Sequence, residues 1–392
     1  MTPREAATAA VFVATFLLLA LGRIGRRDVP RGPAALVGGV LTAVLWRLGT
    51  EAIDWQVILL LASLMALAGL AGAAGAFRGL QSLLARLPPA WALGAAVAAM
   101  GLASAVLLND AAVVVLVPLL LPSLQARGLR VVPSVVLLAV AANAGSILTP
   151  FGNPQNAVLA RAAGLRVPDF LADQALVALV AAASLAVACW REGRRAGPAT
   201  PMPSQAAPRG QWRTMAACAT LLALASLTDL PLGTAAAIAA LVASALLLPS
   251  LGLNAIRHAA RGVDLNVLAL FLGLYWLTDA LPLWFPDGLV PTSRLDGPAS
   301  ATLVVTLLSN TVGNVPATLT LLRLDPAWVV LHAPFLVTTT TLGGALLLTG
   351  SAASLIAADQ ARACGVQVRF LAFLRHAWVI LPALLVGAWW TW

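Results

Sequence analysis

The sequence has 392 residues, of which 60% are hydrophobic and 10% are charged. Soluble globular domains carry about 25% charged residues, so this composition excludes a water-soluble fold and an intrinsically disordered chain. The 24 basic residues outnumber the 15 acidic ones, which gives a net charge of +9, and every basic residue is arginine. We interpret this excess as charge in the cytoplasmic loops of a membrane protein, and we predict no nucleic-acid partner.

Apolar runs long enough to cross a bilayer follow one another along the first half of the chain. We predict membrane-spanning helices over about residues 6–22, 33–47, 55–77 and 170–190. Arginines follow the first run directly, and because basic residues favour the cytoplasmic side, we predict an N-terminus outside the cytoplasm. Residues 78–86, RGLQSLLAR, predict a short amphipathic helix at the cytoplasmic interface.

Two further apolar segments of the first half are interrupted by polar or helix-breaking residues. Residues 90–122 have Asn109, Asp110 and Pro118 near the middle and arginines beyond both ends, which predicts a re-entrant hairpin. Residues 131–163 predict a broken helix. Non-helical backbone at membrane depth is stable only where protein or a water-filled cavity satisfies its polar groups. Both interruptions are therefore expected to face protein or water rather than lipid.

A polar stretch over residues 191–213 predicts a flexible cytoplasmic linker between two halves. The second half, residues 214–392, repeats the plan of residues 1–190 in the opposite orientation. It contains a second hairpin at about residues 299–322 and a second broken helix at about residues 327–358.

The predicted fold class is an all-α polytopic membrane protein made of two inverted-topology repeats. Each repeat has five transmembrane helices, one of them broken, and one re-entrant hairpin, so that the chain makes ten crossings. An odd number of crossings in each repeat inverts the second one. An even total places the C-terminus outside together with the N-terminus.

Two motifs recur in both halves in the same order. The segment SAVLLNDAA (104–112) aligns with SNTVGNVPA (309–317), and GSILTPFGNPQNAVLA (145–160) aligns with GGALLLTGSAASLIAA (343–358). Inverted repeats with interrupted spans at corresponding positions are typical of secondary transporters, which bind their substrate near the membrane midplane. Broken helices free carbonyl groups that can coordinate Na⁺ together with Asn and Ser oxygens, and the N-terminal ends of half-helices attract anions.

Four motifs carry a resemblance to a known group: LLNDAAVVVLVP, TPFGNPQNAVLA, SNTVGNVPATLTLL and LGGALLLTGSAASLIA. In these motifs the chain resembles the ion transporter superfamily, and above all its arsenite-permease-like and divalent anion:sodium symporter-like permeases of bacteria. The resemblance implies a scaffold domain that often forms a homodimer and a mobile transport domain built from the hairpins and broken helices. It also implies elevator-like alternating access driven by Na⁺ or H⁺ in a bacterial inner membrane.

The same resemblance implies two Na⁺ sites, one in each half. The first would use Ser104, Asn109 and Gly152, with Gly145 nearby, and the second would use Ser309, Asn310, Asn314 and Gly350. In dicarboxylate symporters a Ser-Asn-Thr triplet marks both hairpin tips. Here the second tip reads Ser309-Asn310-Thr311 and the first reads Ser104-Ala105-Val106, a departure from the dicarboxylate pattern. The predicted substrate- and ion-binding residues are Ser104, Asn109, Asp110, Gly145, Gly152, Asn153, Asn156, Ser309, Asn310, Thr311, Asn314, Gly350, Ser351 and Ser354.

Asp110 is the strongest single candidate, because a charge at the bilayer centre costs at least about 2.5–3.5 kcal/mol. It is either a cation ligand or proton carrier, or a cap on the backbone N–H groups of the hairpin. A similar pair of alternatives, ligand or structural partner of freed backbone groups, holds for Asn109, Asn153, Asn156 and Asn314. Asp264 is predicted to cap the start of a helix.

The sequence favours a secondary transporter that moves a small anion together with Na⁺ or H⁺ and uses no cofactor besides the coupling ion. A Na⁺/H⁺ antiporter of the same fold and an arsenite efflux permease are the alternatives within that class. An intramembrane enzyme or a passive channel is the alternative from another class. No nucleotide-binding or hydrolase motif is visible in the sequence, so we predict that the protein is not an enzyme.

Overall fold

The computed structural model describes residues 2–21, 23–24, 27–200, 211–284, 295, 297–363 and 365–392. Within these residues the chain is almost entirely helical, and its one strand pairing joins β1 (Arg23–Ile24) to β2 (Arg27–Asp28).

The first half of the chain contains helices α1 (Pro3–Leu21), α2 (Arg31–Trp46), α3 (Trp55–Ala73), α4 (Arg78–Arg86), α5 (Pro89–Val106), α6 (Asn109–Ala126), α7 (Val131–Ser146), α8 (Pro154–Ala163) and α9 (Val167–Gly193). The second half contains α10 (Gln211–Leu227), α11 (Leu232–Leu251), α12 (Asn254–Gly262), α13 (Leu265–Asp279), α14 (Leu281–Trp284), α15 (Pro298–Val312), α16 (Asn314–Leu324), α17 (Pro326–Leu331), α18 (Ala333–Gly344), α19 (Ala352–Ala363), α20 (Phe370–Ala377) and α21 (Leu381–Trp390).

Seven helical segments among the described residues are long and apolar enough to cross a membrane. Five of them are α3, α5, α6, α9 and α11, and the other two are the continuous stretches Leu265–Leu283 and Phe370–Trp390. The expected class, an all-α polytopic membrane protein, is confirmed. The number of crossings and the repeat relation between the halves stay predictions.

The polar segments differ in detail from the sequence expectation. The sequence predicts a loop at Arg257 and Arg261, between the apolar runs at about residues 232–249 and 264–282. Both residues lie instead on α12, a short amphipathic helix like α4. The predicted linker begins inside α9, and its next residues run back along the end of α6, where the backbone N–H of Gly197 donates to Gly128 O at 2.9 Å. Residues 201–210 of the linker lie outside the described residues.

Short interruptions separate the helices that carry the repeated motifs. Residues 147–153 separate α7 from α8, and residues 345–351 separate α18 from α19. Leu107 and Leu108 are extended between α5 and α6, and Gly313 turns between α15 and α16 with φ +97°, a conformation that favours glycine. The second broken span has one more interruption than expected, at His332 between α17 and α18.

Helices α5 and α6 form a hairpin whose two open ends lie together. The guanidinium of Arg127, just after α6, donates to the carbonyl of Ala85, just before α5, at 3.3 Å. Helix α4 packs against both arms. The hairpin tip at Leu107 and Leu108 therefore points away from α4 and into the protein, where both leucines are buried.

The buried apolar side chains form two separate cores. One, the broken-helix core, is contributed by α4–α9 and α15–α21 and includes Leu116, Leu138 and Phe335. The other, the frame core, is contributed chiefly by α1–α3 and α10–α13 and includes Leu64 and Phe271. Residues of the two cores meet at the hairpin tips and breaks, because Leu107, Leu108 and Phe151 pack into the frame core.

Polar contacts between distant segments define two opposite faces of the molecule. On the Asp54 face, named for the residue that caps the start of α3, Trp276 Nε1 donates to Gly49 O at 2.9 Å. On the Arg261 face, where α12 packs against α3, Gly32 N donates to Asn266 Oδ1 at 2.9 Å. Each contact joins segments that are predicted from the sequence to lie on the same side of the membrane, the Asp54 face outside and the Arg261 face inside.

Candidate functional site

The predicted site residues all lie at the hairpin tips and helix breaks between the two cores. Most are buried: Ser104, Asn109, Gly145, Gly152, Asn153, Asn156, Ser309, Asn314, Gly350, Ser351 and Ser354. Asp110 and Asn310 are half-buried and Thr311 is exposed. Thr311 donates its hydroxyl to Leu307 O of its own helix at 2.7 Å.

The tip of the first hairpin is bonded to the first break and, through it, to the second. The backbone N–H of Asn109 donates to Gly152 O at 2.9 Å, and its side-chain amide lies 3.5 Å from Asn143 Oδ1. The hydroxyl of Ser351 donates to the same Asn143 oxygen at 3.0 Å. Asn143 is thus a link between the two halves that was not predicted from the sequence. Its signal is a single asparagine in the apolar run LLAVAANAG, and it is fully buried.

Asparagine side chains satisfy the backbone freed by the first break. Asn156 Nδ2 donates to Ser146 O at 2.8 Å and to Thr149 O at 3.1 Å, and Asn153 Nδ2 donates to Ser146 Oγ at 2.9 Å. The amide nitrogens therefore have the structural role that the sequence left open as one alternative. The Asn156 oxygen has no hydrogen-bond partner among the described residues.

The second break has a related arrangement. Asn310 Nδ2 donates to Thr306 O and Gly343 O, both at 2.8 Å. The Asn314 amide, with its nitrogen facing the break, donates to Gly350 O and Thr340 O, both at 3.0 Å. Both tips are thus held to breaks by amide–carbonyl hydrogen bonds.

Glycines allow the tips and breaks to approach this closely. A Cβ on Gly145 would lie 2.0 Å from Gly101 O, and one on Gly350 would lie 2.1 Å from Asn310 Oδ1. A Cβ on Gly152 would lie 2.2 Å from Ser146 O. Any side chain at these positions would displace backbone or a site residue.

Several buried oxygens at the tips and breaks have no hydrogen-bond partner in the described part of the chain. They are Ser104 Oγ, Ser309 Oγ, Ser354 Oγ, Asn156 Oδ1 and Asn310 Oδ1. Buried polar atoms in folded proteins are almost always paired. Hydroxyl and amide oxygens in this setting have the chemistry of ligands for a small hard cation.

A cavity of about 1040 Å³ lies between the two cores on the Arg261 face. Its broken-helix side includes Asp110, Asn310, Asn314, Gly350 and Ser351. Its frame side includes Arg31, Arg261, Asp264 and Asn266. The cavity therefore connects polar groups of both tips with charged groups of the frame.

Asp110 is the acidic residue of this cavity that belongs to a hairpin tip. It is the second residue of α6, and the backbone N–H of Ala353, in the first turn of α19, interacts with its carboxylate. Arg31 faces it from the frame. Asp264 does cap α13, as expected, because its carboxylate accepts from Asn266 N at 2.8 Å.

A helical membrane fold with a charged cavity between two cores, bordered by helix breaks, is the architecture of a membrane transporter. The comparison of sequences agrees: residues 16–327 match the citrate transporter family, CitMHS. The chain belongs to this family of transporters.

Two relatives are similar to this chain in sequence, and one solved structure is similar to it in fold. The inner membrane protein YbiR of Escherichia coli K12 is 31% identical over 348 residues, which cover 86% of this chain and 87% of that protein. The silicon efflux transporter LSI3 of Oryza sativa subsp. japonica is 36% identical over 138 residues, covering 34% and 28%. The YdaH transporter of Alcanivorax borkumensis has a similar fold, with a TM-score of 0.54 at 15% identity over 99% of this chain and 97% of that one.

Proposed function

We propose that the protein is a secondary active transporter that moves a small anion across the cytoplasmic membrane, coupled to Na⁺ or H⁺. The observation that carries the proposal is the cavity between the cores, because it joins the helix breaks and Asp110 to the frame. In an elevator-like cycle the broken-helix core would carry the site past the frame core. The packing of the apolar side chains into two separate cores supports such a movement.

The proposal includes an inverted repeat, which corresponding contacts support. Helix α2 packs on α13, and α3 packs on α11, as expected when each half supplies one partner of each pair. Gly145 approaches Gly101 closely, and Gly343, its counterpart, approaches Thr306, the counterpart of Gly101. The two tip asparagines, Asn109 and Asn314, each bond to the break of their own half.

Within this mechanism, Na⁺ would bind at Ser104, Asn109 and Gly152 and at Ser309, Asn310, Asn314 and Gly350. The unpaired oxygens of Ser104, Ser309 and Asn310 support these assignments. The substrate anion would meet the N-terminal ends of α6, α16 and α19, where backbone N–H groups attract negative charge. Asn153, Asn156, Ser351 and Ser354 would hold the breaks in the conformation that exposes these ends.

Flux into liposomes tests the proposal. Purified protein should accumulate a radiolabelled anion only when a Na⁺ or H⁺ gradient is imposed, and a panel of oxyanions and carboxylates can be screened first by thermal shift. The panel includes citrate, because the matching family is named as a citrate transporter family. It also includes arsenite, because a relative from Dictyostelium discoideum, 37% identical over 67 residues, is named a putative transporter arsB. Flux of many anions that is indifferent to both gradients would contradict the proposal and favour a channel.

A Na⁺/H⁺ antiporter is the second candidate, and the charges of the cavity favour it. The cavity is lined by three carboxylates, on Asp110, Asp264 and Asp359, and by two guanidinium groups, on Arg31 and Arg261. Asp359 is paired with Arg362 of its own helix, so Asp110 and Asp264 are the carboxylates available to a cation. Proton release from everted vesicles on addition of Na⁺, without any substrate anion, would establish this alternative.

We further propose a bacterial inner-membrane location with both termini outside and assembly as a homodimer. The arginines of the linker and the first loop support this orientation.

A further inference from the structure

Three ion pairs join the broken-helix part of the chain to the frame on the Asp54 face. One of them, Arg166 with Asp229 at 3.8 Å, is exposed on both sides and lies outside the wall of the smaller cavity on this face. The other two are closer, and their arginines line that cavity. Arg161, in the last turn of α8, pairs with Asp54, which also caps α3 by accepting from Gln56 N at 3.0 Å. Arg323, in the last turn of α16, pairs with Asp279 at 3.0 Å. Its other terminal nitrogen donates to Ala52 O of the frame at 3.2 Å. Each arginine is carried by the part that would move and each carboxylate by the frame.

The two arginines line a smaller cavity of about 500 Å³ on this face. Tyr275 lies in its wall with only 3% of its surface exposed, and Val158 lies there with 4% exposed. The ion pairs thus lie where the two cores meet. Apolar side chains of α8 and α16, among them Val158 and Leu319, pack against the frame beside them.

The opposite face lacks such a bridge in the part of the chain that the structure describes. Asp264 caps α13 as Asp54 caps α3, and Asp359 occupies on α19 the position that Arg161 occupies on α8, at the shift of the second motif pair. These two carboxylates line the large cavity, and Asp359 pairs with Arg362 of its own helix at 3.1 Å. Ion pairs therefore bridge the frame and the broken-helix core on the Asp54 face, whereas the large cavity lies between them on the Arg261 face.

We propose that the pairs Asp54–Arg161 and Asp279–Arg323 are a gate that closes the Asp54 face while the cavity is open to the Arg261 face. Transport then requires both pairs to break, so that α8 and α16 leave the frame. The proposal rests on the alternating-access function proposed above. Partly exposed ion pairs shift an equilibrium by up to about fivefold each, enough to bias two states without locking either.

Thiol labelling of the whole protein in liposomes tests the gate. In a background without the three native cysteines, Val158→Cys reports on the Asp54 face and Ala111→Cys, in the wall of the large cavity, reports on the other. Breaking both pairs with Asp54→Asn and Asp279→Asn should raise the rate of maleimide reaction at Val158→Cys about fivefold or more and lower it at Ala111→Cys. Asparagine keeps the cap on α3, so the change removes charge and leaves the helix start intact.

Two further variants make the result specific. Glu51→Gln removes a carboxylate from the wall of the same small cavity, but Glu51 bonds Gly49 N of its own loop at 3.0 Å, so labelling should not change. The exchange Asp279→Arg with Arg323→Asp should return both rates toward those of the starting protein. Rates that rise together at both reporters would indicate loss of packing and overturn the gate, as would rates that do not change.

Labelling needs no substrate, so the gate and the transport function can fail separately. If the labelling rates change as expected but no gradient-driven flux is measured, the gate is supported and the proposed transport function is contradicted. If gradient-driven flux is measured but labelling is unchanged in the variant with both Asp54→Asn and Asp279→Asn, only the proposed gate is contradicted.

Discussion

At the scale of single residues, Asp110 has a backbone held by a hydrogen bond and a side chain that lines the large cavity. The tip of the first hairpin holds its backbone, since the carboxamide oxygen of Asn109 accepts from its N–H at 2.8 Å. Its carboxylate faces the large cavity, near Arg31 of the frame. A carboxylate so placed can bind a cation or a proton without disturbing the fold around it.

Replacement of Asp110 by asparagine should uncouple the transporter without unfolding it. Asparagine keeps the shape of the side chain and cannot bind a proton or balance a cation, so flux should fall at least about tenfold and lose its dependence on pH or Na⁺. Flux at several pH values and Na⁺ concentrations measures this. Asp359→Asn is the matched control, because it removes a carboxylate from the same cavity but away from the tips. Unchanged pH and Na⁺ dependence in Asp110→Asn would remove this residue from the mechanism.

Asn143 should contribute to stability as well as to the site. Its oxygen accepts from Ser351 and faces the amide of Asn109, so Asn143→Ala leaves buried polar groups of both halves without a partner. We expect a loss of about 1–3 kcal/mol, seen as a lower melting temperature in detergent. Ser123→Ala, which removes a buried hydroxyl with no partner among the described residues, should leave the melting temperature nearly unchanged. If the two changes lower the melting temperature equally, the proposed bridging role of Asn143 is contradicted.

At the scale of secondary structure, glycine residues allow the helices that meet at the breaks to pack closely. Helix α5 packs on α7 through Gly101 and Gly145, and α15 packs on α18 at Gly343. Small residues at such crossings let backbones approach within a membrane, where burial of apolar surface gives little driving force. The repeated motif is rich in glycine for this reason.

Gly145→Ala should therefore be costly although alanine is the better helix former. The added Cβ would lie 2.0 Å from Gly101 O, which forces α5 and α7 apart and costs about 1–3 kcal/mol. Gly94→Ala on α5 is the matched control, because a Cβ at that position would have no atom within 4 Å among the described residues. Alanine there should be neutral or stabilising by up to about 1 kcal/mol. Thermal unfolding of both variants in the same detergent compares them, and a stable Gly145→Ala protein would contradict the tight crossing.

At the scale of the whole molecule, the division into two cores decides where a site can form. The frame core and the broken-helix core contact each other at the tips, breaks and ion pairs, and the large cavity lies along that boundary. The apolar side chains that cross it are few, among them Leu107, Leu108 and Phe151. Movement at this boundary therefore leaves most of each core intact. Both proposals, transport and gate, depend on this property.

The orientation of the whole molecule can be measured in intact cells. In a background without native cysteines, Leu230→Cys near the Asp54 face should react with an impermeant maleimide, while Leu253→Cys near the Arg261 face should react only after the cells are opened. Both positions are exposed, with 37% and 76% of their surface accessible. The physical reason is the retention of arginine-rich segments in the cytoplasm. The reverse labelling pattern would contradict the predicted orientation.

The sequence by itself determined the membrane class, the places where helices break and the prominence of Asp110, because each depends on local properties. Apolar length, glycine, proline and a charge in an apolar run are visible in a few neighbouring residues. It also predicted the cap at Asp264 correctly. The sequence did not predict α12 as a helix because Ile256 is the one large apolar side chain of this nine-residue segment, whereas α4, of the same length, has three leucines.

Only the tertiary structure decided which groups meet across the chain. Asn143 joins Ser351 across 208 positions, and Arg323 joins Ala52 across 271. The sequence carries no local mark of such pairs, because their partners are set by how whole helices pack. The same packing decided that the two faces differ, one bridged by ion pairs and one open at the cavity. The excess of arginine predicts the orientation of the chain, whereas the arrangement of a few charges between the two cores supports its proposed mechanism.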